Sequence, residues 1–270
     1  MELKDKVIVV TGGGSGMGRE LAIQLVKKGA KVAIADINEK GLSETANLAG
    51  KNGISTHLLN VANRPAVEAF PEQVIQVHGK VDGIINNAGI IQPFMDVNDL
   101  DYDEIERVMN INFYGTLYMC KAFLPHLLQR PEACIANVSS MGGFIPFPGQ
   151  TFYGASKAAV KLLTEGLYCE LKDTNVHVTV IHPGAVNTNI TSNSGVTSPT
   201  AEAAQKDSKA NQMAMPADKA ATMMIRAIEQ NKFRVMVGKD AGFLDKFYRI
   251  SPKRAVHFIV KQMGKFKDHR

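Results

Sequence analysis

Val7–Gly18 reads VIVVTGGGSGMG: four apolar residues, three of them valine, run straight into a glycine-rich turn. A short apolar run without alternation suits a strand buried on both faces. Leu21, Leu25 and Val26 then recur at helical spacing within Arg19–Lys28. Strand, glycine turn and helix in that order let backbone N–H groups and a helix N-terminus meet a diphosphate. The pattern is T-G-x-x-x-G-x-G on Gly12, Gly16 and Gly18, not G-x-G-x-x-G, and a tight turn without a ligand is the alternative.

Working outward, the next apolar run, Lys31–Ala35, ends in Asp36, eighteen residues past Gly18. An acid near that distance can hydrogen-bond an adenosine ribose; it can also cap the surface helix expected over Asn38–Asn52. Ile54–Leu59 is a third strand closing on Asn60-Val61. A helix starts at Arg64-Pro65, where proline suits the first turn, and Pro71 should kink or restart it. Val81–Ile85 leads into Asn86-Asn87-Ala88-Gly89, small and amide residues that let a backbone approach a flat ring closely. Asp101–Glu104 reads as a capping box for a helix to about Gln129, with a local kink expected around Asn112 and Gly115. Strands at Ala133–Val138, Val176–Ile181 and Phe233–Val237 alternate with helices at Tyr153–Leu171 and Pro216–Asn231. The whole reads as repeated βαβ units, a parallel sheet covered by helices on both faces. Residues 187–215, rich in Ser, Thr, Asn and Ala with little periodicity, form a long loop of the kind that serves as a lid.

The chemistry concentrates in Asn137–Lys157, NVSSMGGFIPFPGQTFYGASK. Tyr153 and Lys157 are four apart and share a helix face. A phenol titrating near pKa ~10 needs roughly 4 kcal/mol of help to serve as a base near neutrality. One cation about 4 Å away at an effective dielectric of about 20 supplies that much. Lys157 could therefore poise Tyr153, with the Ser140 hydroxyl holding a substrate oxygen against it; an ordinary helix face is the alternative.

Composition narrows the classes. Hydrophobic residues are 45% and charged residues 21% of the 270, an ordinary globular balance. No run of about 18 apolar residues could span a membrane, and the N-terminus lacks a signal peptide's apolar core. Cys120, Cys134 and Cys169 are widely spaced in apolar segments, which fits buried thiols in a cytoplasmic protein rather than disulfides or a zinc site. No His/Cys cluster suggests a metal. The net charge of +5 resides in the tail, where residues 239–270 hold nine Lys/Arg against three Asp/Glu, so the charge does not indicate nucleic-acid binding by the body.

Taken together, TGGGSGMG, Asp36, NNAG, Asn112, Ser140, YGASK and HPG resemble the short-chain dehydrogenase/reductase family over about residues 5–238. The resemblance implies a Rossmann-like, doubly wound parallel sheet of about seven strands in one domain, residues 1–238, followed by a basic extension, 239–270. It implies an oxidoreductase moving hydride between a nicotinamide and a carbinol carbon, with Asn112, Ser140, Tyr153 and Lys157 as the catalytic four. Tyr153 would exchange the proton, Ser140 position the oxygen, Lys157 lower the phenol's pKa and bind ribose, and Asn112 keep a water in the proton path. Cofactor contacts would come from Gly12, Ser15, Gly16, Met17, Gly18, Asp36, Asn60, Val61, Asn87, Ala88 and Gly89. Tyr153, Lys157, Pro183, Gly184, Val186 and Thr188 would complete them. Asn60 departs from the family's usual Asp against the adenine. Asp36, with Ser15 and Ile37 where phosphate-binding relatives often carry Arg or Lys, selects NAD over NADP. A homodimer or homotetramer through the helices of residues 103–129 and 153–171 is implied as well.

The surroundings of the site are apolar: Ile91, Phe94, Met141, Phe144, Phe147 and, on the lid, Met213, with Gln150 as the polar handle. An uncharged hydrophobic secondary alcohol or ketone fits. The alternatives are a ketoreductase of acyl-carrier thioesters and a non-catalytic NAD sensor, the latter disfavoured because Tyr153 and Lys157 are both present. In the tail, Ala255, Val256, Ile259, Met263 and Phe266 fall on one helical face beyond Ser251-Pro252. Docking of that stripe on the body is favoured, and contact with an anionic membrane is the competitor.

Overall fold

The computed structural model describes residues 1–50, 52–196 and 214–264. Met213, Phe266 and most of the expected lid lie outside the described residues. The chain opens with β1 (Val7–Thr11), α1 (Gly16–Lys27), β2 (Lys31–Asp36), α2 (Glu39–Ala49), β3 (Ile54–Leu58), α3 (Arg64–His78) and β4 (Gly83–Asn86). There follow α4 (Tyr102–Met109), α5 (Gly115–Leu127), β5 (Ala133–Val138), α6 (Thr151–Leu171) and β6 (Val176–Pro183). Beyond these come β7 (Val186–Asn187), the single turn α7 (Ile190–Asn193), β8 (Met215–Pro216), α8 (Ala217–Glu229), β9 (Arg234–Val237), α9 (Lys239–Ile250) and α10 (Pro252–Gly264).

Among the described residues, seven strands form one sheet in the order β3-β2-β1-β4-β5-β6-β9, every pairing parallel. Strand pleating explains its two cores, because successive side chains leave opposite faces. Ile8 and Val10 of β1 pack with Leu21, Leu25, Met224 and Ile228 under α1 and α8. Val7 and Val9 pack with Phe70, Val74, Met119 and Phe123 under α3 and α5. Both faces are thus covered, as the unalternating runs require. Strand order reverses between β1 and β4, and such a switch point opens a crevice at the strands' carboxyl ends.

Three local expectations change. Helix α3 runs through Pro71 without a break; Phe70, Pro71 and Val74 are all buried, and packing of that stripe outweighs one lost backbone hydrogen bond. Asp101 caps α4 with backbone alone, its side chain making no capping bond. The helix expected to run to Gln129 is broken at Asn110–Tyr114 by a π turn, so the irregularity anticipated at Asn112 is real. Cys120 and Cys134 are buried, but Cys169 is exposed on α6, against expectation.

The tail forms two helices, α9 and α10. Leu244, Ala255 and Ile259 bury against Ile145, with Met141, Phe144, Phe147, Phe247, Tyr248 and Met263 packed around them. The apolar stripe of α10 therefore docks on the loop that follows Ser140. Among the described residues no helix is long and apolar enough to cross a membrane, and no group of His, Cys, Asp and Glu could hold a metal ion.

Candidate active site

The switch-point crevice is a cleft of about 540 Å³. Gly12, Ser15, Gly16, Met17, Asp36, Ile37, Asn60, Val61, Asn87, Ala88, Gly89, Ile90 and Thr188 line it, as do Asn189, Ile190 and Asn193, which the sequence reading did not single out. The turn needs its glycines. Gly12 and Gly16 have φ of 68° and 51°, the left-handed region that side chains rarely adopt. A Cβ on Gly12 would lie 2.9 Å from Asn87 Nδ2, and one on Gly18 would run into the Gly12 carbonyl. Gly18 therefore sits beneath the turn, letting α1 pack close, and stands outside the cleft lining.

Thr11, which sequence reading missed, ties the two walls together: its Oγ1 accepts from the N–H of Asn87 and of Ala88, both at 3.0 Å. Asn87 Nδ2 donates to the Thr11 carbonyl at 3.1 Å, while its Oδ1 is buried without a protein partner. Asp36 holds the far end, its Oδ2 accepting from Gly14 N at 2.9 Å and its Oδ1 from Asn38 N at 3.0 Å. Ser15 caps α1 without a side-chain bond to the helix's first turn; its Oγ instead accepts from Asn193 Nδ2 at 2.8 Å, across the cleft. A dinucleotide fits these residues. The glycine cradle admits a backbone-bound diphosphate, the uncapped α1 terminus favours its charge, and the orphaned Asn87 oxygen can accept from a polar group in the cleft.

Pro183 ends β6 and is buried. Gly184 is filled over by the Asp240 carboxylate, whose Oδ2 accepts from Ala185 N, and Val186 packs against the α1/α8 core. These three stand outside the cleft lining, as do Tyr153 and Lys157.

The four expected catalytic residues come from three elements around that end. Ser140 follows β5; its Oγ accepts from Gly142 N at 3.0 Å and, like the Tyr153 ring, flanks Gly142, near enough to favour the phenolate. Burial nevertheless raises the Tyr153 pKa, and Ser140 only partly opposes this. The expectation that Lys157 alone depresses Tyr153 is not met here: the Lys157 ammonium donates to the Val138 carbonyl at 2.9 Å, and burial lowers its own pKa to about 8. Desolvation sets the direction for both groups. Lys157 Nζ and Asn112 Oδ1 converge on Gly89, where a Cβ would stand 3.0 and 3.2 Å from them. Asn112 is wholly buried. Its Nδ2 donates to Ile90 O and Ser156 Oγ, its Oδ1 accepts from Ile90 N, all at 2.9 Å, so the side chain clamps the segment after β4.

Gln92, another residue missed in sequence, fixes Tyr153. Its Oε1 accepts from the N–H of Phe152 at 2.7 Å and of Tyr153 at 3.0 Å, capping α6. The signal available was a gap: α6 begins at Gln150-Thr151 with no Ser, Thr, Asp or Asn placed to cap it. His182 is also new. Its Nδ1–H donates to the Ser140 carbonyl at 3.0 Å, and burial pushes its pKa down to about 4, so it is neutral near pH 7.

The expected substrate wall is partly reassigned. Ile91, Phe94, Met141, Phe144, Phe147 and Gln150 are absent from the cleft lining. Met141, Phe144 and Phe147 pack against the tail helices. Gln150 is buried, its Nε2 committed to the Gln92 carbonyl at 2.8 Å and its Oε1 without a protein partner, so it is no freely exposed handle.

A parallel sheet with a glycine turn at its switch point, beside a Ser, Tyr and Lys cluster, defines a nucleotide-dependent oxidoreductase domain. The chain belongs to the short-chain dehydrogenase family, whose model matches residues 6–198. It is 34% identical over 266 residues to SadH of Mycobacterium tuberculosis, named as an oxidoreductase, covering 97% of this chain and 96% of SadH. An uncharacterized oxidoreductase of Staphylococcus aureus is 38% identical over 189 residues, 70% of this chain and 81% of that one. Among solved structures, a short-chain dehydrogenase/reductase from Burkholderia phymatum in complex with NAD matches with a TM-score of 0.80 at 28% identity, over 88% of this chain and 90% of that one. A 3-ketoacyl-(acyl-carrier-protein) reductase from Brucella melitensis complexed with NADH matches at 0.78 and 26%, over 88% and 99%. The chain is thus an oxidoreductase of this family.

Proposed function

We propose that the protein interconverts an uncharged, hydrophobic secondary alcohol and its ketone, using NAD(H) in preference to NADP(H). The observation that carries the reaction is the Ser140, Tyr153 and Lys157 cluster: Ser140 Oγ and the Tyr153 ring both flank Gly142, and the Lys157 ammonium lies beside Gly89 in the wall of a dinucleotide-sized cleft. The nicotinamide, when bound, supplies or accepts the hydride. Ser140 holds the substrate oxygen, and Tyr153, still protonated near neutrality because burial raises its pKa, donates its proton to that oxygen in reduction. Lys157, mostly charged at pH 7, has its ammonium beside Gly89 in the cleft wall, where it would hold a ribose hydroxyl of the bound dinucleotide. Gln92 and Asn112 keep α6 and the post-β4 segment in register for the transfer.

Support for NAD comes from the cleft's far end, where the Asp36 carboxylate suits a ribose diol and repels a 2′-phosphate. Support for an uncharged, hydrophobic substrate comes from the cleft lining, which includes Ile90 and Ile111 and no Lys or Arg. Apolar side chains left in water on α4 and α6, Tyr102 at 82% and Leu162 at 69% exposed, support assembly through those helices. A panel of secondary alcohols and ketones with NAD(H) and NADP(H), followed by cofactor absorbance, tests the reading. Turnover of hydrophobic members with NAD(H) is expected; activity confined to charged substrates, or kcat/KM equal or better with NADP(H), would overturn it.

A further inference from the structure

The tail helices dock by one face and leave another in water. On α9, Lys239, Phe243, Lys246 and Ile250 fall at i, i+4, i+7 and i+11, one outward stripe. Phe243 is 55% and Ile250 83% exposed. On α10, Arg254, Phe258 and Lys261 form a matching stripe, with Phe258 still 36% exposed. Phe243, Phe247 and Phe258 meet edge to face or tilted, with ring centroids 5.8 to 6.1 Å apart, so the two stripes join into one surface. Buried Leu244, Ala255 and Ile259 fix both helices to the body from behind, which holds the rings outward.

The charge around the rings is one-sided. Between residues 239 and 264 stand six Lys/Arg and two Asp/Glu. Both acids are engaged: Asp240 accepts from Ala185 N, and Asp245 pairs with Arg234 and Arg249. Aromatic and aliphatic side chains framed by cations that, Arg249 apart, have no ion pair among the described residues complement the headgroup boundary of an anionic bilayer. A second copy offering the same face would set like charges against each other.

We propose that the outer face of α9 and α10 is a docking surface for anionic membranes. It extends the protein's interactions beyond the reaction assigned above and does not depend on it. The hairpin's inner face rests on Met141, Phe144 and Phe147, so a docked protein holds the loop after Ser140 just behind its lipid-facing helices.

The chain contains no tryptophan, so Phe243→Trp introduces a single reporter. Its emission is expected to shift to the blue with phosphatidylglycerol vesicles and not with phosphatidylcholine alone. Leu58→Trp, on the opposite edge of the sheet, is expected to show no shift. In sedimentation, the full chain binds anionic vesicles in low salt and releases in high salt; Lys246→Glu/Arg254→Glu, with wild-type melting temperature and NADH affinity, weakens binding at least tenfold, since each surface cation removed is worth about fivefold. Absence of binding, equal binding to neutral vesicles, or unchanged binding by the charge variant would overturn the proposal. So would a result in which the variant changes only the oligomeric state by analytical ultracentrifugation, which would assign the face to a second copy.

Discussion

Replacing Lys157 by methionine is expected to stabilise the cofactor-free protein while destroying its activity. The side chain is 4% exposed, and burial lowers its pKa from 10.5 to about 8. That gap corresponds to about 3 kcal/mol by which the folded state disfavours the charged amine. Methionine has similar length and no charge, but it gives up the ammonium's hydrogen bond to the Val138 carbonyl, worth roughly 1.5–3 kcal/mol with a charged donor. The net expectation at pH 7 is a gain of roughly 1 kcal/mol by these central magnitudes. The pH dependence separates the two effects. Below about 8 both folded and unfolded wild type carry the proton, and the burial penalty is fully present. Between about 8 and 10.5 the unfolded chain binds more protons, so wild-type stability rises with pH; above 10.5 the penalty is gone. Urea denaturation of both proteins at pH 7 and pH 10 measures this. The stability of Lys157→Met relative to wild type should fall between the two pH values by about 2–3 kcal/mol. A difference independent of pH would refute the claim that a buried ammonium strains the folded chain.

Tyr153→Phe should lower kcat by at least about a hundredfold, with NADH affinity by fluorescence titration within threefold of wild type; substantial residual turnover would reassign the proton donor. Asp36→Ala should narrow the ratio of kcat/KM for NAD over NADP by about tenfold, and an unchanged ratio would remove the carboxylate from cofactor choice. Gln92→Leu leaves the N–H groups of Phe152 and Tyr153 without their cap, and should cost about 1–3 kcal/mol in denaturation. Its kcat should fall more than its KM changes, because the Tyr153 backbone is released while the cleft is untouched.

The sheet was legible because a two-sided core leaves unalternating apolar runs, and β5 matches its expected Ala133–Val138 to the residue. The cleft was legible through glycines whose roles are steric: Gly12 and Gly16 hold a φ that side chains rarely adopt, and a Cβ on Gly12 would crowd Asn87. What escaped was long-range capping and tethering. Gln92 and Thr11 act through side-chain bonds to backbone 60 or 76 residues away, and spacing along the chain carries no trace of such contacts. The poise of Tyr153 escaped for another reason. Sequence showed the cation one helical turn away but not the burial of both groups, and burial decides the direction. The tail's inner stripe was readable as an amphipathic face; its outer rings become a surface only when α9 lies beside α10.

The bond between Asn193 and Ser15 gives the cleft a kinetic character as well as a shape. The turn that carries Asn193 is tethered on the opposite wall, where Ser194 Oγ accepts from Ile91 N at 3.0 Å and the Ser194 carbonyl accepts from Arg107 at 2.6 Å. Among the described residues the segment is therefore a clasp, fastened on one side by two bonds and on the other by one. A dinucleotide that took the Ser15 hydroxyl as a diphosphate partner would compete with the single bond. A neutral hydrogen bond of about 1 kcal/mol lowers affinity by less than tenfold, so the clasp adjusts arrival and residence times more than occupancy at saturation. Its two-bond side adjoins Ile91, so one short stretch of chain both tethers the clasp and, through Gln92, caps the helix that carries Tyr153.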